Sequence, residues 1–261
     1  MKRIFFILFT LWVSSMPVMA ENVRFIQVTD VHTTPKNIEH VKDFVKNVNN
    51  VENIDFVIFT GDNIDRPNIK DLESFLDAIK PIKVKKYVVL GNHDVSKSQH
   101  LDKITYMKTV REKLGSYHSN KPSYVFKDKD IVFIVMDGVK EVIPGSCGYF
   151  REKELVWLDK QLTKYQKNKV VIIQHFPLLD SRIADHNIYK KENYLSILKK
   201  HDNVLAVISG HNHENREEMK YGIYNIVTSK FSDNEYYKII EIDNKSNMIF
   251  TQLEAVNDFE I

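Results

Sequence analysis

An α/β fold is predicted for this sequence from three observations. Short apolar runs rich in valine, isoleucine and phenylalanine are typical of buried strands. Between them lie segments whose apolar residues recur every three or four positions, which is the spacing of amphipathic helices. After Gly210 the helical spacing stops and strand-like segments continue, which predicts antiparallel strands of a second sheet. No repeat or linker divides the chain, so one large domain is expected.

The amino-terminal residues 1–20 are predicted to be a secretory signal. Two basic residues precede an almost wholly apolar stretch over residues 4–13, and Ala20 closes a site of small residues that a signal peptidase accepts. The apolar stretch is shorter than the roughly 20 residues of a comfortable membrane span. We therefore expect a secreted or periplasmic protein comprising residues 21–261, without stable membrane insertion. An uncleaved amino-terminal anchor is the alternative.

Charge and cysteine content narrow the classes of function. Loss of residues 1–20 would remove Lys2 and Arg3 and no acidic residue, leaving 35 basic and 35 acidic side chains. A near-neutral protein is not expected to bind a nucleic-acid polymer, because such binding usually needs a basic patch. Cys147 is the only cysteine, which excludes an intramolecular disulfide, and we expect it to be a small turn residue. The sequence leaves the oligomeric state open.

The helices and strands are predicted in a regular order along the chain. In the first helix, Ile38, Val41, Val45 and Val48 form a single apolar face. Helices are predicted over residues 38–48, 72–79, 104–114, 152–165 and 194–198. A hairpin is predicted over residues 123–136, and carboxyl-terminal strands over residues 221–227, 236–242 and 248–253.

Five predicted strands end in residues that can bind metal ions. One such loop alone is equally well explained as a helix cap. In open α/β sheets, however, ligands bind beyond the carboxyl ends of the strands, so five such ends are expected to converge on one site. The strand ends are Asp30-Val31-His32, Gly61-Asp62-Asn63, Gly91-Asn92-His93-Asp94, His175 and Gly210-His211-Asn212-His213.

The ligand types in these motifs favour a pair of transition-metal ions. Carboxylates, imidazoles and one amide oxygen, without a thiolate, suit Mn, Fe, Zn, Co or Ni. The set exceeds what one tetrahedral ion needs, so two ions are expected. Two ions about 3.5–4 Å apart would share a bridging carboxylate and activate a water for attack on phosphorus.

In this order, over about residues 23–213, the motifs resemble those of the calcineurin-like metallophosphoesterases. The pattern is similar to that of class III cyclic nucleotide phosphodiesterases and glycerophosphodiesterases. The resemblance implies a four-layer α/β/β/α sandwich of two mixed sheets flanked by helices. The implied ligands are Asp30, His32 and His213 for one ion, Asn92, His175 and His211 for the other, and Asp62 as the bridge between them.

The resemblance also implies roles for two residues that do not bind metal. His93 would face the scissile phosphate and donate a proton to the leaving oxygen or stabilise its charge. Asp94 would orient or polarise His93, although a helix cap explains Asp94 equally well. Purple acid phosphatases place a tyrosine three residues after the Gly-Asp aspartate. This sequence has Asp65 there, so no tyrosinate chromophore is expected.

The expected function is hydrolysis of small phosphodiesters or phosphomonoesters, nucleotide or glycerol derived, by in-line attack of a metal-bridging hydroxide. Diesters are slightly preferred because of the motif similarity. A phosphomonoesterase or nucleotidase is one alternative, and a non-catalytic binding module on the same fold is another.

Substrate selection is expected in the loops that flank the motifs, at residues 95–100, 178–189 and 214–218. The second loop carries Arg182, His186 and Tyr189. These side chains either hold a phosphate or base, or are simply solvated.

Overall fold

The computed structural model describes residues 22–256, so the predicted signal segment lies outside the described residues. Two 3₁₀ turns occupy Lys97–Gln99 and Ala184–His186. The helices are α1 (Ile38–Val48), α2 (Ile69–Ile79), α3 (Lys103–Leu114), α4 (Glu152–Lys164), α5 (Lys191–Leu198) and α6 (Phe231–Asn234). The strands are β1 (Val23–Val28), β2 (Phe56–Phe59), β3 (Lys85–Val88), β4 (Tyr124–Asp128), β5 (Ile131–Val135), β6 (Lys169–Ile173), β7 (Val204–Ser209), β8 (Arg216–Lys220), β9 (Ile223–Val227), β10 (Tyr236–Ile242) and β11 (Ile249–Ala255).

The first sheet has five strands in the order β11-β10-β1-β2-β3. β1, β2 and β3 are parallel, with Val28 opposite Phe59 and Phe59 opposite Val88. β10 runs antiparallel to β1, and β11 antiparallel to β10. Because β1, β2 and β3 point the same way, the motifs that follow them lie side by side at one edge of the sheet.

The second sheet has six strands in the order β4-β5-β6-β7-β9-β8. Its four central strands β5, β6, β7 and β9 are parallel. The edge strands β4 and β8 pair antiparallel with β5 and β9. The carboxyl ends of β6 and β7 carry His175 and the Gly210 motif, which places these two motifs at one edge of the second sheet.

The two sheets pack face to face through an aromatic core. Phe25 of β1 stacks on Phe56 of β2 with ring centroids 4.7 Å apart. Phe133 of β5, in the other sheet, packs edge-on against both rings at 5.6 and 5.1 Å. All three side chains are fully buried, and offset or edge-on aromatic pairs add to the stabilisation from buried apolar area.

The helices cover the outer faces of the sheets. Phe44 of α1 and Phe75 of α2 pack edge-on against Phe59 of β2. In β6, Val170 and Ile172 belong to the same core cluster as the helices, whereas Val171 and Ile173 belong to the core between the sheets. This alternation follows from the two-residue repeat of a strand. The predicted four-layer α/β/β/α sandwich is therefore confirmed, as are all five predicted helices.

The prediction for the carboxyl-terminal strands was wrong in its topology. They do not form one antiparallel second sheet: β9 lies parallel to β7 in the six-stranded sheet, whereas β10 and β11 extend the five-stranded sheet beside β1. A strand's apolar pattern identifies the strand but not its neighbour. The chain crosses from one sheet to the other between β9 and β10, where the one-turn helix α6 interrupts a region expected to hold strands alone.

β8 also differs from expectation, because residues 214–218 were predicted to be a loop. Its Arg-Glu-Glu-Met-Lys sequence lacks the apolar alternation of a half-buried strand. It is an edge strand that pairs with β9 on one side only, so it tolerates charged side chains. Among the helices of the described chain, none is both long and apolar enough to cross a bilayer.

Candidate metal centre

The polar strand ends of both sheets meet at one edge of the sandwich. The N–H of Asp30 donates to the carbonyl of Gly61 at 3.0 Å, and the N–H of His32 donates to the carbonyl of Asp62 at 2.9 Å. A hydrogen bond between the sheets is formed by His211, whose N–H donates to the Asp30 carboxylate at 2.9 Å. The predicted site residues are thus brought together by backbone groups of the motifs themselves.

Five of the seven predicted ligands have a left-handed backbone. Their φ angles are 52° for Asp30, 46° for His32, 52° for Asp62, 69° for His211 and 56° for His213. For a residue with a side chain this conformation costs on the order of 1–2 kcal/mol. Such residues cluster at functional sites, where the surrounding structure holds them in place.

Two glycines allow the motif loops to approach each other closely. A Cβ atom on Gly91 would lie 2.1 Å from both the backbone nitrogen and Oδ1 of Asp62. A Cβ atom on Gly210 would lie 1.8 Å from Oγ1 of Thr29 and 2.6 Å from Oδ2 of Asp30. A side chain at either position would therefore displace a carboxylate of the site.

Asp30, His32 and His213 form the first candidate ligand group, with one ligand atom of each within 4.8 Å of the others. Asp30 is fully buried, and its Oδ1 lies 3.4 Å from Nε2 of His213. Both ring nitrogens of His32 are buried and form no hydrogen bond. Burial lowers the pKa of His32, which keeps its ring neutral. Buried polar atoms without partners are costly, so these nitrogens fit a metal ion as the missing partner.

His175, His211 and Asn92 converge in a second group. Nδ1 of His175 donates to the carbonyl of Thr60 at 2.9 Å, because a carbonyl can only accept. Nε2 of His175 then faces inward, 3.2 Å from Oδ1 of Asn92 and 3.2 Å from Nδ1 of His211. Nε2 of His211 is buried without a hydrogen-bond partner. A histidine fixed in this way through one nitrogen is typical of metal ligation through the other.

The Asp62 carboxylate lies between the two groups. Its Oδ2 is 3.3 Å from Nε2 of His175 and 3.9 Å from Nε2 of His32. Its Oδ1 accepts a hydrogen bond from the N–H of His93 at 2.8 Å. The side chain is almost completely buried, so water does not compete for these oxygens. This position is the one a carboxylate needs to serve both ligand groups.

Shifted pKa values determine which of Asp62, His175 and His211 are in the protonation state that binds a metal ion. Burial raises the pKa of the Asp62 carboxyl, but the charge and hydrogen bond of His175, together with the charges of His32 and His93, hold this pKa well below its usual range. Burial lowers the pKa of His175, yet the Asp62 carboxylate raises it overall to about 9. Burial and then the His175 charge lower the pKa of His211 to about 3. Asp62 and His211 are therefore in the states that bind metal, whereas His175 must first release a proton.

The ring of His93 is fixed by a hydrogen bond to the backbone of Asp65 and not by a proposed metal ligand. Its Nδ1 donates to the backbone carbonyl of Asp65 at 2.8 Å, which leaves Nε2 for the substrate side. Its ring packs edge-on against that of His32 at 4.7 Å. A cleft of about 780 Å³ opens beside His93. The other lining residues are Asp65, Arg66, Pro67, Asn92, Ser96, Gln99, Pro144, Gly145 and Ser146.

Asp94 forms no hydrogen bond with the ring of His93, whose Nδ1 donates to the Asp65 carbonyl instead. The completely buried Asp94 carboxylate accepts hydrogen bonds from the backbone N–H groups of Gly91, Asn63 and Ile64 at 2.7, 2.8 and 3.1 Å. A fourth comes from the Asn63 side-chain amide at 3.0 Å. Asp94 thus joins the loop that carries Asp62 to the loop that carries Asn92 and His93. The sequence motif indicated Asp94 as a site residue, but it did not indicate its hydrogen-bond partners, among them Asn63.

The loops expected to select the substrate contribute unequally. Residues 95–100 line the cleft through Ser96 and Gln99. In the loop 178–189, His186 places its ring 4.8 Å from that of His211, whereas Tyr189 is 55% exposed. No sequence motif pointed to the loop 139–148, which forms the cleft wall at Pro144, Gly145 and Ser146. This loop includes Cys147, which is half-buried.

Comparison with known proteins agrees with this architecture. Residues 23–215 match the family model for calcineurin-like phosphoesterases. A probable glycerophosphodiester phosphodiesterase GpdQ of Arcobacter nitrofigilis is 28% identical over 203 residues, covering 72% of this chain and 71% of that protein. The 3',5'-cyclic adenosine monophosphate phosphodiesterase CpdA of Vibrio vulnificus is 23% identical over 225 residues, covering 80% of this chain and 77% of that protein.

Solved structures share the fold at lower sequence identity. A dimetal phosphatase from Danio rerio superposes with a TM-score of 0.65 and 17% identity, covering 88% of this chain and 98% of that one. GAP50, described as the anchor in the inner membrane complex of Plasmodium, superposes with a TM-score of 0.65 and 18% identity, covering 92% of this chain and 86% of that one. Since the family model spans most of the chain, this protein belongs to the calcineurin-like phosphoesterase family and is a metal-dependent phosphoesterase.

Proposed function

We propose that this protein is a dinuclear-metal phosphodiesterase that hydrolyses small phosphodiesters outside the cytoplasm. The position of Asp62, with one carboxylate oxygen facing both His32 and His175, is the observation that carries the two-ion proposal. The unpartnered buried nitrogens of His32 and His211 support it, because they lack any other partner in the described chain.

The proposed ligands divide between the two ions as their positions suggest. Asp62 would serve both ions, which together would supply an activated water and charge that neutralises the phosphoryl oxygens. The ligand types suit Mn, Fe, Zn, Co or Ni. Asp30, His32 and His213 would hold one ion, and Asn92, His175 and His211 the other.

His93 is the proposed proton donor to the leaving oxygen. Because its Nδ1–H is held by the Asp65 carbonyl, the ring cannot turn away, and Nε2 is directed to the cleft side. In the imidazolium form Nε2 carries the proton that the leaving oxygen needs. Asp94 acts indirectly, because its hydrogen bonds hold together the two loops that present Asp62 and His93.

The cleft beside His93 favours a small polar alcohol as the leaving group. Its volume of about 780 Å³ is in the range of small-molecule sites. Among the described residues that line it, His93 supplies the only aromatic ring, while Ser96, Gln99 and Ser146 supply hydroxyl and amide groups. Nucleobases are commonly held by stacking on aromatic side chains. A glycerol-derived diester therefore fits this lining better than a nucleotide, and the names of the sequence relatives support a diester.

A substrate panel tests the proposal. Metal-loaded protein lacking residues 1–20 would be assayed with bis-p-nitrophenyl phosphate, p-nitrophenyl phosphate, a glycerophosphodiester and a cyclic nucleotide, and kcat/KM compared. We expect the glycerophosphodiester to exceed the cyclic nucleotide. Activity confined to phosphomonoesters would replace the proposal with a phosphatase or nucleotidase. No activity with two ions bound would favour a non-catalytic binding module.

Export is proposed from the amino-terminal sequence alone. Amino-terminal sequencing of the protein recovered outside the cytoplasm is expected to begin at Glu21, because Ala20 closes the small-residue site. Recovery of Met1 in a membrane fraction would replace cleavage with anchoring.

A further inference from the structure

We propose that Asp65 selects against doubly charged phosphomonoesters and so makes the site prefer singly charged phosphodiesters. This inference rests on the proposed phosphodiesterase function and names a specificity residue of the same site. No motif contains Asp65, whose side chain lies at the boundary between the ligand groups and the cleft.

The position of the Asp65 carboxylate carries the proposal. One of its oxygens lies within 4.8 Å of ring nitrogens of both His32 and His93. His32 is a proposed metal ligand and His93 the proposed proton donor, so a phosphate that reaches both the metal ion and His93 has this carboxylate as a neighbour. Asp65 also lines the cleft with Asn92 and His93. Its side chain is 44% exposed, which means that it faces the space a substrate enters rather than the protein core.

Charge gives the carboxylate its selective effect. A phosphomonoester carries close to two negative charges at neutral pH, because its second pKa is about 6. A phosphodiester carries one. Bound metal ions would attract both, but the Asp65 carboxylate repels the dianion more strongly. At separations of several ångströms near a protein surface, one additional like-charge interaction changes relative binding by roughly three- to tenfold.

Arg66 partly offsets this repulsion. Its Nε lies 3.7 Å from the outer oxygen Oδ2 of Asp65, and its side chain is 85% exposed. An ion pair this exposed is weak and is screened by salt. The proposal therefore predicts opposite effects for the two neighbours: loss of the Asp65 charge weakens the preference for monoanions, and loss of the Arg66 charge strengthens it.

Two substrates separate the effect of substrate charge from the effect of the leaving group. p-Nitrophenyl phosphate and p-nitrophenyl methylphosphonate release the same phenolate, but the first is a dianion and the second a monoanion. In Asp65→Asn, and in Asp65→Ala as a second variant, the kcat/KM ratio of phosphate to methylphosphonate is expected to rise roughly three- to tenfold above that of the wild type. In Arg66→Gln it is expected to fall. High salt is expected to reduce both shifts.

Asp43→Asn is the matched control, because Asp43 has a comparably exposed carboxylate, at 52%, on the outer helix α1. Its ratio is expected to equal that of the wild type. Every variant is assayed at saturating metal after its metal content is measured, because Asp65 also lies 3.8 Å from Nδ1 of His32. An unchanged ratio in both Asp65 variants would overturn the proposal, as would an equal shift in Asp43→Asn. A wild type inactive on every ester would instead overturn the phosphodiesterase function.

Discussion

The side chain of Asp94 binds Asn63 twice, accepting a hydrogen bond from its backbone N–H at 2.8 Å and another from its side-chain amide at 3.0 Å. Asn63 follows Asp62 directly, and Asp94 follows His93 directly. This pair therefore links the proposed bridging carboxylate to the proposed proton donor. Burial and then the Asp62 charge raise the pKa of the Asp94 carboxyl to about 7, so the link is made at an electrostatic cost.

Asp94→Asn is expected to destabilise the fold as well as the site. An asparagine side chain has one oxygen in place of two. Its amide group would therefore face backbone N–H groups whose hydrogen bonds the Asp94 carboxylate now accepts. Loss of hydrogen bonds from buried donors costs about 2–4 kcal/mol in all. Urea unfolding of the metal-free protein measures this loss.

Asp102→Asn provides the matched control for that substitution. Asp102 caps the amino terminus of α3, where its exposed carboxylate accepts from the N–H of Thr105 at 2.7 Å. Asparagine caps helices about as well as aspartate, so a change below roughly 0.5 kcal/mol is expected. Equal stability of the two variants would contradict the proposed role of Asp94 in joining the loops.

Asp62→Ala is expected to lose both metal ions and activity. Its carboxylate oxygen faces both ligand groups, at 3.3 Å from His175 and 3.9 Å from His32. The substitution is therefore expected to weaken binding of both ions and not of one alone. Elemental analysis of purified protein gives the metal content, expected to be about two ions per wild-type chain. A folded variant that retained two ions and full activity would exclude the bridging role.

His93→Ala should separate catalysis from metal binding. Because Nδ1 of His93 binds a backbone carbonyl and its ring lies outside the two proposed ion sites, the metal content should not change. Turnover should fall by about 10²–10⁴, the range of a positioned acid. His201→Ala is the control, because His201 follows α5 and pairs with Asp159 of α4, away from the proposed site. Its turnover should match that of the wild type.

The loss in His93→Ala should depend on the leaving group. Esters of weakly basic alcohols such as p-nitrophenol need little protonation and should be affected least. Measurement of kcat for a series of diesters checks this. A uniform loss across the series would indicate that His93 binds the phosphate instead of protonating the leaving oxygen.

Metal affinity is expected to rise with pH up to about 9. Burial lowers the pKa of His175, but Asp62 raises it to about 9, so the metal-free protein holds a proton there at pH 7. A metal ion needs the neutral ring and must displace this proton. Affinity should therefore increase about tenfold per pH unit from pH 7 toward 9 and level off above. Titration calorimetry in buffers of different ionisation enthalpy should detect one proton released from His175, and pH-independent binding without release would contradict this.

The sequence by itself determined the family, the apolar strands and the residue types of the proposed ligands. The Gly91-Asn92-His93-Asp94 motif after an apolar run indicates a polar strand end because strand and turn preferences act between near neighbours in the chain. The same holds for the single apolar face of α1. Such features are local, so they are visible before folding is considered.

Only the tertiary structure decided which strands became neighbours. β9 and β10 are both apolar segments, yet one joins β7 and the other β1. The charged β8 is a strand only because the free edge of β9 offers its backbone hydrogen bonds. Pairing partners distant in sequence are set by packing of the whole core, which no local pattern contains.

The partners of the site residues were likewise decided by tertiary structure. The hydrogen bond from His211 to Asp30 spans 181 residues, and that from Asn63 to Asp94 spans 31. Asp65 enters the site because the turn after β2 brings its carbonyl to His93 and its carboxylate near His32. Residue types state which bonds are chemically possible, but only the folded backbone fixes which donors and acceptors come within bonding distance.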